Sequence, residues 1–477
     1  MKKNMILIAL AALIVPALVR GLWFYRGIAN RPEIATPDYQ ALTMAQLPLS
    51  TPETDEDITQ TNGIVLLDYS HANQYQPAEA QSLQESIEKR GGKVETLTDS
   101  TLLEYKLKYA NAYVIISPAV MFTADETRVV KAFVDRGGRL LVFTDATRGI
   151  MYYDFNGNLI NSPDTSLVNP LLSIFGITLN NDYLYNVEEH EGNFRNVFFE
   201  DFGKNELTFG LKKVALYGTH SVKTSSGLIL LRGTGSTLSS IDDAHDPVEG
   251  GAALSENGNV LVFGDFTFLS SPYQNATDNA TLIANIADFT LGGGQKIALA
   301  NFPFGFTQPV VQVYLTSEIR LTAEMTAALS AMQEILRYSG TSLEITEEKP
   351  EGDALILGSF TPTDDLLKYV KPFDIELDGS SEYINVPGFG DVGRYGNGIL
   401  LFEENKKGNT ITLLADTPED LLSLLGTLTS SSLTGCIQQK DVAVCSVGYG
   451  GSYSDGSETE ATAEPVNTEE VTPTPGG

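Results

Sequence analysis

Four aspartates and a histidine carry most of the chemistry this sequence could offer, and most of them stand just after an apolar run. Asp68, Ser70 and His71 follow residues 64–67; Asp145, Thr147 and Arg148 follow 139–143; Asp265 follows 260–263. Asp278 and Asn279 open a stretch in which Leu282, Ile283, Ile286 and Phe289 recur at helical spacing, and Asp278 is placed to cap that helix. Short apolar runs that end in polar residues suit strands buried on both faces, delivering polar groups to the carboxyl edge of a sheet where ligands bind. Asp68, His71 and Asp265 together could form an oxygen-rich metal site or an acid–base pair. No motif fixes their mutual spacing, so a second reading stands beside the first: the aspartates satisfy loop amides and helix N-termini, and His71 is an ordinary loop histidine. No cofactor is expected and no metal-ligand set is assigned.

Several kinds of chemistry are excluded or weakened. The 61 acidic residues outnumber 31 basic ones, for a net charge of -30, which opposes nucleic-acid binding and adhesion to anionic lipid through a basic surface. There is no G-x-S-x-G elbow; Ser117 and the pair Ser270-Ser271 have no evident base. There is no GxxxxGK[ST] loop, and the glycine-rich stretches 233–235 and 388–393 read as turns. His190, His220 and His245 read as surface or internally satisfied histidines.

The elements that must position these residues alternate in type. Strands are expected at 64–67, 93–97, 112–116 and 139–143, with a helix opened by Pro77 and another by the capping box Thr123-Ala124-Asp125-Glu126. This alternation predicts a parallel sheet with helices on both faces. Residues 151–256 look irregular, with a helix read at 167–175 and strands at 214–217 and 228–231, an insertion that would overhang the carboxyl edge before the sheet resumes at 260. Gly292-Gly293-Gly294 marks a boundary. Beyond it, residues 295–447 read as a smaller α/β or α+β domain, with antiparallel partners at 398–402 and 410–414 and capped helices after Thr322 and Thr417.

Lys2 and Lys3 precede a nearly continuous apolar run, residues 5–19, followed by Arg20 and Leu22-Trp23-Phe24-Tyr25. Residues 1–27 are therefore expected to be an export signal retained as a single-pass anchor with its N-terminus inside, the alternative being secretion after cleavage. Residues 28–62, with four prolines and an acidic end, read as an extended linker, and 448–477 as a disordered acidic Ser/Thr/Pro tail.

Four segments carry a family resemblance: IVLLDYSHAN, VIISPAVMFTADETRVVKAFVDRGGRLLVFTD, NPLLSIFGITLNNDYLY and VFGDFTFLSSPYQNATDNATLIANIADF. Through them, residues 63–294 resemble an uncharacterised bacterial family of membrane-anchored, class I glutamine amidotransferase-like domains, with relatives among auxiliary components of ABC transporters and gliding machinery. The resemblance implies a flavodoxin-like, doubly wound sheet of strand order 2-1-3-4-5. It does not carry glutaminase activity across. Where the family's enzymes place a cysteine nucleophile after a strand, this chain has Thr144-Asp145-Ala146-Thr147, and neither Ala nor Asp replaces a thiolate. Asp68, His71, Asp265 and Asp278 remain the positions to watch.

The expectation is a membrane-tethered extracytoplasmic module with a degenerate amidotransferase-like domain. It would bind a protein partner in a membrane or envelope complex and be accessory to transport. The alternative is a metal- or carboxylate-dependent hydrolase acting at the sheet edge. The two cysteines, Cys436 and Cys445, are close enough for a hairpin disulfide outside the cytoplasm, the other reading being two buried thiols. Non-reduced peptide mapping is expected to recover them cross-linked; two free thiols would overturn that.

Overall fold

In the first sheet, β1 (Gly63–Asp68), β2 (Gly92–Leu97), β3 (Ala112–Ile116) and β4 (Arg139–Phe143) are joined by the strand Val260–Phe263. The order is β2-β1-β3-β4-(Val260–Phe263), parallel throughout, which is the flavodoxin-like 2-1-3-4-5. The computed structural model describes residues 2–25 and 58–448, apart from 154, 158, 164, 242–244, 247–248, 431–432 and 434. The linker up to residue 57 and the tail from residue 449 lie outside the described residues.

The apolar strands are buried on both faces because helices cover both. Leu66, Tyr113, Ile115, Leu140, Val142, Val260 and Val262 point to one side, where Val130, Phe133 and Val134 of the helix Ala124–Asp135 meet them. That helix starts at a complete capping box, with Thr123 Oγ1 accepting the Glu126 amide and Glu126 accepting the Thr123 amide. The helices Gln81–Lys89 and Asn279–Leu291 pack on the other side. Arg90, only 1% exposed, ties those two together: its Nε donates to Asp288 Oδ1 at 2.6 Å and its Nη2 to Oδ2 at 3.2 Å.

The reading of residues 151–256 as an irregular insertion is corrected. Much of it extends the sheet. Glu249–Leu254 pairs antiparallel with Val260–Phe263, Leu228–Arg232 with Glu249–Leu254, and Asp201–Phe202 with Leu228–Arg232. Val222–Thr224 also joins Glu249–Leu254, and Ile177–Leu179 joins it in turn. The sheet thus resumes before residue 260. The strands read at 214–217 and 228–231 form, the first pairing with Asn196–Phe199 and the second joining the sheet; the others here, short or rich in glycine, gave no such signal.

The second sheet orders as Ser342–Thr346, Val310–Leu315, Ala354–Ser359, Thr410–Ala415, Asn397–Glu403, Val442–Ser446 and Cys436–Gln439. The first four are parallel and the rest antiparallel, so this half is mixed α/β. Thr322 Oγ1 caps the helix Ala323–Arg337, and Thr417 Oγ1 caps Pro418–Thr429. Cys436 and Cys445 face each other across the last hairpin and are bonded. The described residues from 58 to 448 belong to one compact unit. Gly292-Gly293-Gly294 is not a loose joint, because Asn111 Nδ2 donates to Gly293 O at 2.7 Å and Gln295 Nε2 donates to Leu107 O at 2.8 Å.

By itself, the N-terminal unit shows one helix, Lys2–Tyr25, with Pro16 inside. Its segment Lys3–Phe24 has a mean hydropathy of 2.4 and is long and apolar enough to cross a membrane, as a membrane anchor or a signal sequence would be.

Asn111 supplies a test of the first half's packing. Its Oδ1 accepts the Ile64 amide at 2.9 Å while Nδ2 holds Gly293. Asn111→Ala strands both backbone groups, and urea denaturation is expected to show a loss of about 1–3 kcal/mol. An unchanged midpoint would contradict this anchoring.

Candidate functional site at the carboxyl edge of the first sheet

The chain leaves β1 through Asp68-Tyr69-Ser70-His71, a tight turn that folds back on its own aspartate. Asp68 Oδ1 accepts the Ser70 amide at 3.1 Å and its hydroxyl at 2.7 Å; Oδ2 pairs with His71 Nδ1 at 2.9 Å. His71 Nε2 lies 3.6 Å from Glu126 Oε2, an ion contact beyond hydrogen-bond reach. Phe122 stacks on the imidazole at 3.8 Å. The histidine is therefore held between two carboxylates, and only 2% of it is exposed. Burial works against its charge, but the Asp68 bond and the Asp68 and Glu126 charges outweigh burial and hold the imidazole above its ordinary value. Tyr113, fully buried, has its phenol pushed well up by burial and then by the Asp68 charge.

A second cluster forms where β4 and Val260–Phe263 end. These strands pair in parallel up to Phe143 and Phe263, whose rings stack at 5.4 Å. Two residues further, Asp145 and Asp265 emerge side by side, both with no exposed surface. Asp145 Oδ1 accepts the Thr147 amide at 2.7 Å and hydroxyl at 2.6 Å, and Oδ2 accepts the Thr267 hydroxyl at 2.9 Å. Asp265 Oδ1 accepts the Thr267 amide at 2.7 Å, and Oδ2 accepts the Tyr217 amide at 2.9 Å. Burial raises both carboxyls above the usual range, and the Asp145 charge adds to the rise at Asp265. Two adjacent, water-excluded carboxyls hold a proton more readily than exposed ones do.

The other expected residues are accounted for locally. Arg148 pairs with Glu79, donates to Gln74 O at 3.3 Å and lies over the Phe266 ring at 5.2 Å. The capping role expected of Asp278 is corrected: it occupies the cap position without a side-chain cap bond. Its Oδ2 accepts the Lys212 and Lys213 amides at 2.7 and 2.9 Å. Asn279 clamps Ala215 through both its N–H and C=O, at 3.0 Å each. Ser117 ends β3 at a φ of +39° but is fully buried, unlike the exposed nucleophile that an elbow requires.

The grouping of Asp68, His71 and Asp265 is also corrected. Asp265 is paired with Asp145, and no hydrogen bond or ion pair joins it to the Asp68–His71 pair. Among the described residues no three His, Cys, Asp or Glu side chains converge as a metal-ligand set. The open cleft expected at this edge is replaced by a sealed one. Returning loops fill it: Ala119 and Val120 amides bond to His71 O, Ala146 to Gly218 O, and His220 to Gly264 O. Sequence reasoning missed Glu126, Thr267 and Tyr217 as partners. The capping box pointed to Glu126, but only as a helix start; nothing local linked it to His71.

A flavodoxin-like α/β sheet with a sealed carboxyl edge is the class this half defines. Residues 56–287 match the model of a family described as a domain of unknown function (DUF4350). No curated protein matches the chain. Among solved structures, the mmIFT52 N-terminal domain is 17% identical with a TM-score of 0.39, covering 49% of this chain and 99% of its own. A thua-like protein from Bacteroides uniformis is 12% identical with a TM-score of 0.29, covering 51% and 95%; one from Parabacteroides merdae is 11% identical at 0.25, covering 50% and 94%. With TM-scores below 0.5, these likenesses bear on neither activity nor partners.

The His71 pair makes a signed prediction. A histidine raised in the folded state stabilises the fold fully below its unfolded value near 6.5, and that contribution is lost as pH rises through the folded value. The stability difference between the native chain and His71→Gln, measured by denaturation at acid, neutral and alkaline pH, is expected to be largest in acid and to shrink upward. A flat or rising difference would contradict the arrangement.

Proposed function

We propose that this protein is a membrane-tethered extracytoplasmic binding or assembly module, accessory to a transport or envelope system, whose amidotransferase-like half keeps the fold without the reaction. The supporting observation is the sealed edge. Asp68, His71, Asp145 and Asp265 are each at most 2% exposed, and their polar atoms apart from His71 Nε2 are hydrogen-bonded within the protein. Buried to this degree they are out of contact with solvent, whereas loops locked in this way present a fixed outer surface to a partner. The apolar N-terminal helix supports the tether, and Lys2 and Lys3 before it favour an N-terminus on the cytoplasmic side.

A carboxylate-dependent hydrolase is the second reading. Its supporting observation is the Asp145–Asp265 pair, whose raised carboxyls suit a shared-proton acid–base role. The complete burial of both stands against it.

Crosslinking pull-down of the tagged full-length chain from native membranes tests the first reading. It is expected to recover a reproducible membrane or envelope protein, equally well with Asp265→Ala provided that variant folds. Intact protein in the membrane fraction with no partner would overturn the assembly role.

A further inference from the structure

The second sheet carries an open cleft at its carboxyl end, and it lies outside the family-matched residues. Asp416 directly follows the strand Thr410–Ala415, at the carboxyl end of the parallel part of this sheet. Beside it, the hairpin Tyr383–Val386 and Gly390–Gly393 rises from the segment between Ala354–Ser359 and Asn397–Glu403. Together they border a cleft of about 550 Å³ lined by Ser381, Glu382, Tyr383, Arg394, Tyr395 and Asp416. That volume lies within the range of small-ligand sites, and the place is where ligands enter open α/β sheets.

The polar groups are set rather than loose. Arg394 is 14% exposed, and its Nε and Nη2 both donate to Asp416 Oδ1, at 3.1 and 2.8 Å. Its Nη1 donates to Asp378 O and Ser381 O at 3.3 Å. The guanidinium is thereby committed to the protein, and both its contacts with Asp416 fall on one oxygen. Asp416 Oδ2 is left able to accept a hydroxyl, with its carboxylate oriented by the arginine.

The aromatic groups are the reverse: exposed and uncovered. Tyr383 is 59% exposed and Tyr395 86%. Across the hairpin Tyr383 faces Gly393, which has no side chain to lie over the ring. Two exposed tyrosines flanking a fixed carboxylate are what a pyranose needs, with its C–H face stacking on the rings and its hydroxyls donating to the carboxylate. An anion would meet Glu382 and Asp416 with the only guanidinium at the cleft already engaged. A cation is the competing occupant, since Glu382 is left uncompensated once Arg394 pairs with Asp416, and the titration below separates it from a sugar.

We propose that this cleft binds a neutral saccharide, with Tyr383 and Tyr395 as stacking faces, Asp416 as hydroxyl acceptor and Arg394 as its positioning residue. The proposal is independent of the assembly role drawn from the first sheet, since a pull-down without a partner leaves it standing.

Calorimetric titration of the full chain, in a non-glycosidic detergent, with cellotriose, maltotriose and chitotriose tests it. Saturable binding to at least one is expected. Tyr395→Ala should weaken it by about 3- to 10-fold. Asp416→Asn should weaken it by about 10-fold or more. Phe209→Ala, which alters an exposed ring outside the cleft, should leave it unchanged. Tyr395 is so exposed that its loss cannot disturb folding, so the test stands even if the Asp416 variant fails to fold. Absence of saturable binding to all three sugars overturns the proposal. So does an unchanged affinity in Tyr395→Ala, or saturation by tetramethylammonium in place of sugar.

Discussion

The parallel pairing of Val260–Phe263 with β4 is the constraint on which the first half depends. It brings together two segments separated by the whole of the 144–259 stretch and adds the fifth parallel strand, onto which the antiparallel extension pairs. Long-range closure of this kind costs chain entropy that only extensive burial repays. Phe143 and Phe263 stack across the pair, and every residue of Val260–Phe263 is buried. Once the pair forms, Asp145 and Asp265 must emerge as neighbours, since parallel strands in register carry equivalent positions to the same edge.

Two carboxyls forced together in a buried place need compensation, and the surrounding loops provide it. Thr267 serves both, giving its amide to Asp265 and its hydroxyl to Asp145. The Tyr217 amide reaches Asp265 from the intervening segment, which is thereby pinned over the edge. The same logic operates at β1, where Asp68 organises its own turn and holds His71 against Glu126. Polar groups that could have served a substrate serve the backbone instead, because a buried amide left without an acceptor costs more than the chain can spare. That is why a sheet of this class can keep its aspartates and yet hold them out of contact with solvent.

The two halves divide their roles. The first buries its edge and offers loop surface, whereas the second keeps a cleft bordered by exposed tyrosines and an oriented carboxylate. The joint between them is firm. Asn301 Nδ2 donates to Lys108 O at 2.8 Å, and Lys108 Nζ donates to Phe302 O at 3.1 Å, so the segment after the glycine triplet is bonded to the base of the first sheet. A ligand or partner engaging either half acts on one body.

The sequence by itself determined the local elements, whereas the strand order of the first sheet was implied by the family resemblance. Continuous apolar runs mark strands covered on both faces, and the capping residues Thr123, Thr322 and Thr417 mark helix starts, because these signals depend on neighbours a few residues away. It also identified Asp68, His71, Asp145 and Asp265 as strand-end residues. Tertiary structure alone decided what those residues do. Pairing Asp265 with Asp145 instead of with Asp68 and His71 follows from strand order and register. Turning Asp278 from its helix to the Lys212 and Lys213 amides follows from a loop that arrives from elsewhere. Of the antiparallel extension the run 228–231 was legible as a strand, but Glu249–Leu254, which joins it to the sheet, was hidden: it carries two glycines and two alanines, and such small residues show no period until flanking strands pack on them. The stretch 383–394 before Tyr395 was legible as a glycine-rich loop or bulged strand, but not its place beside Asp416, which is a property of the folded hairpin and not of the spacing along the chain.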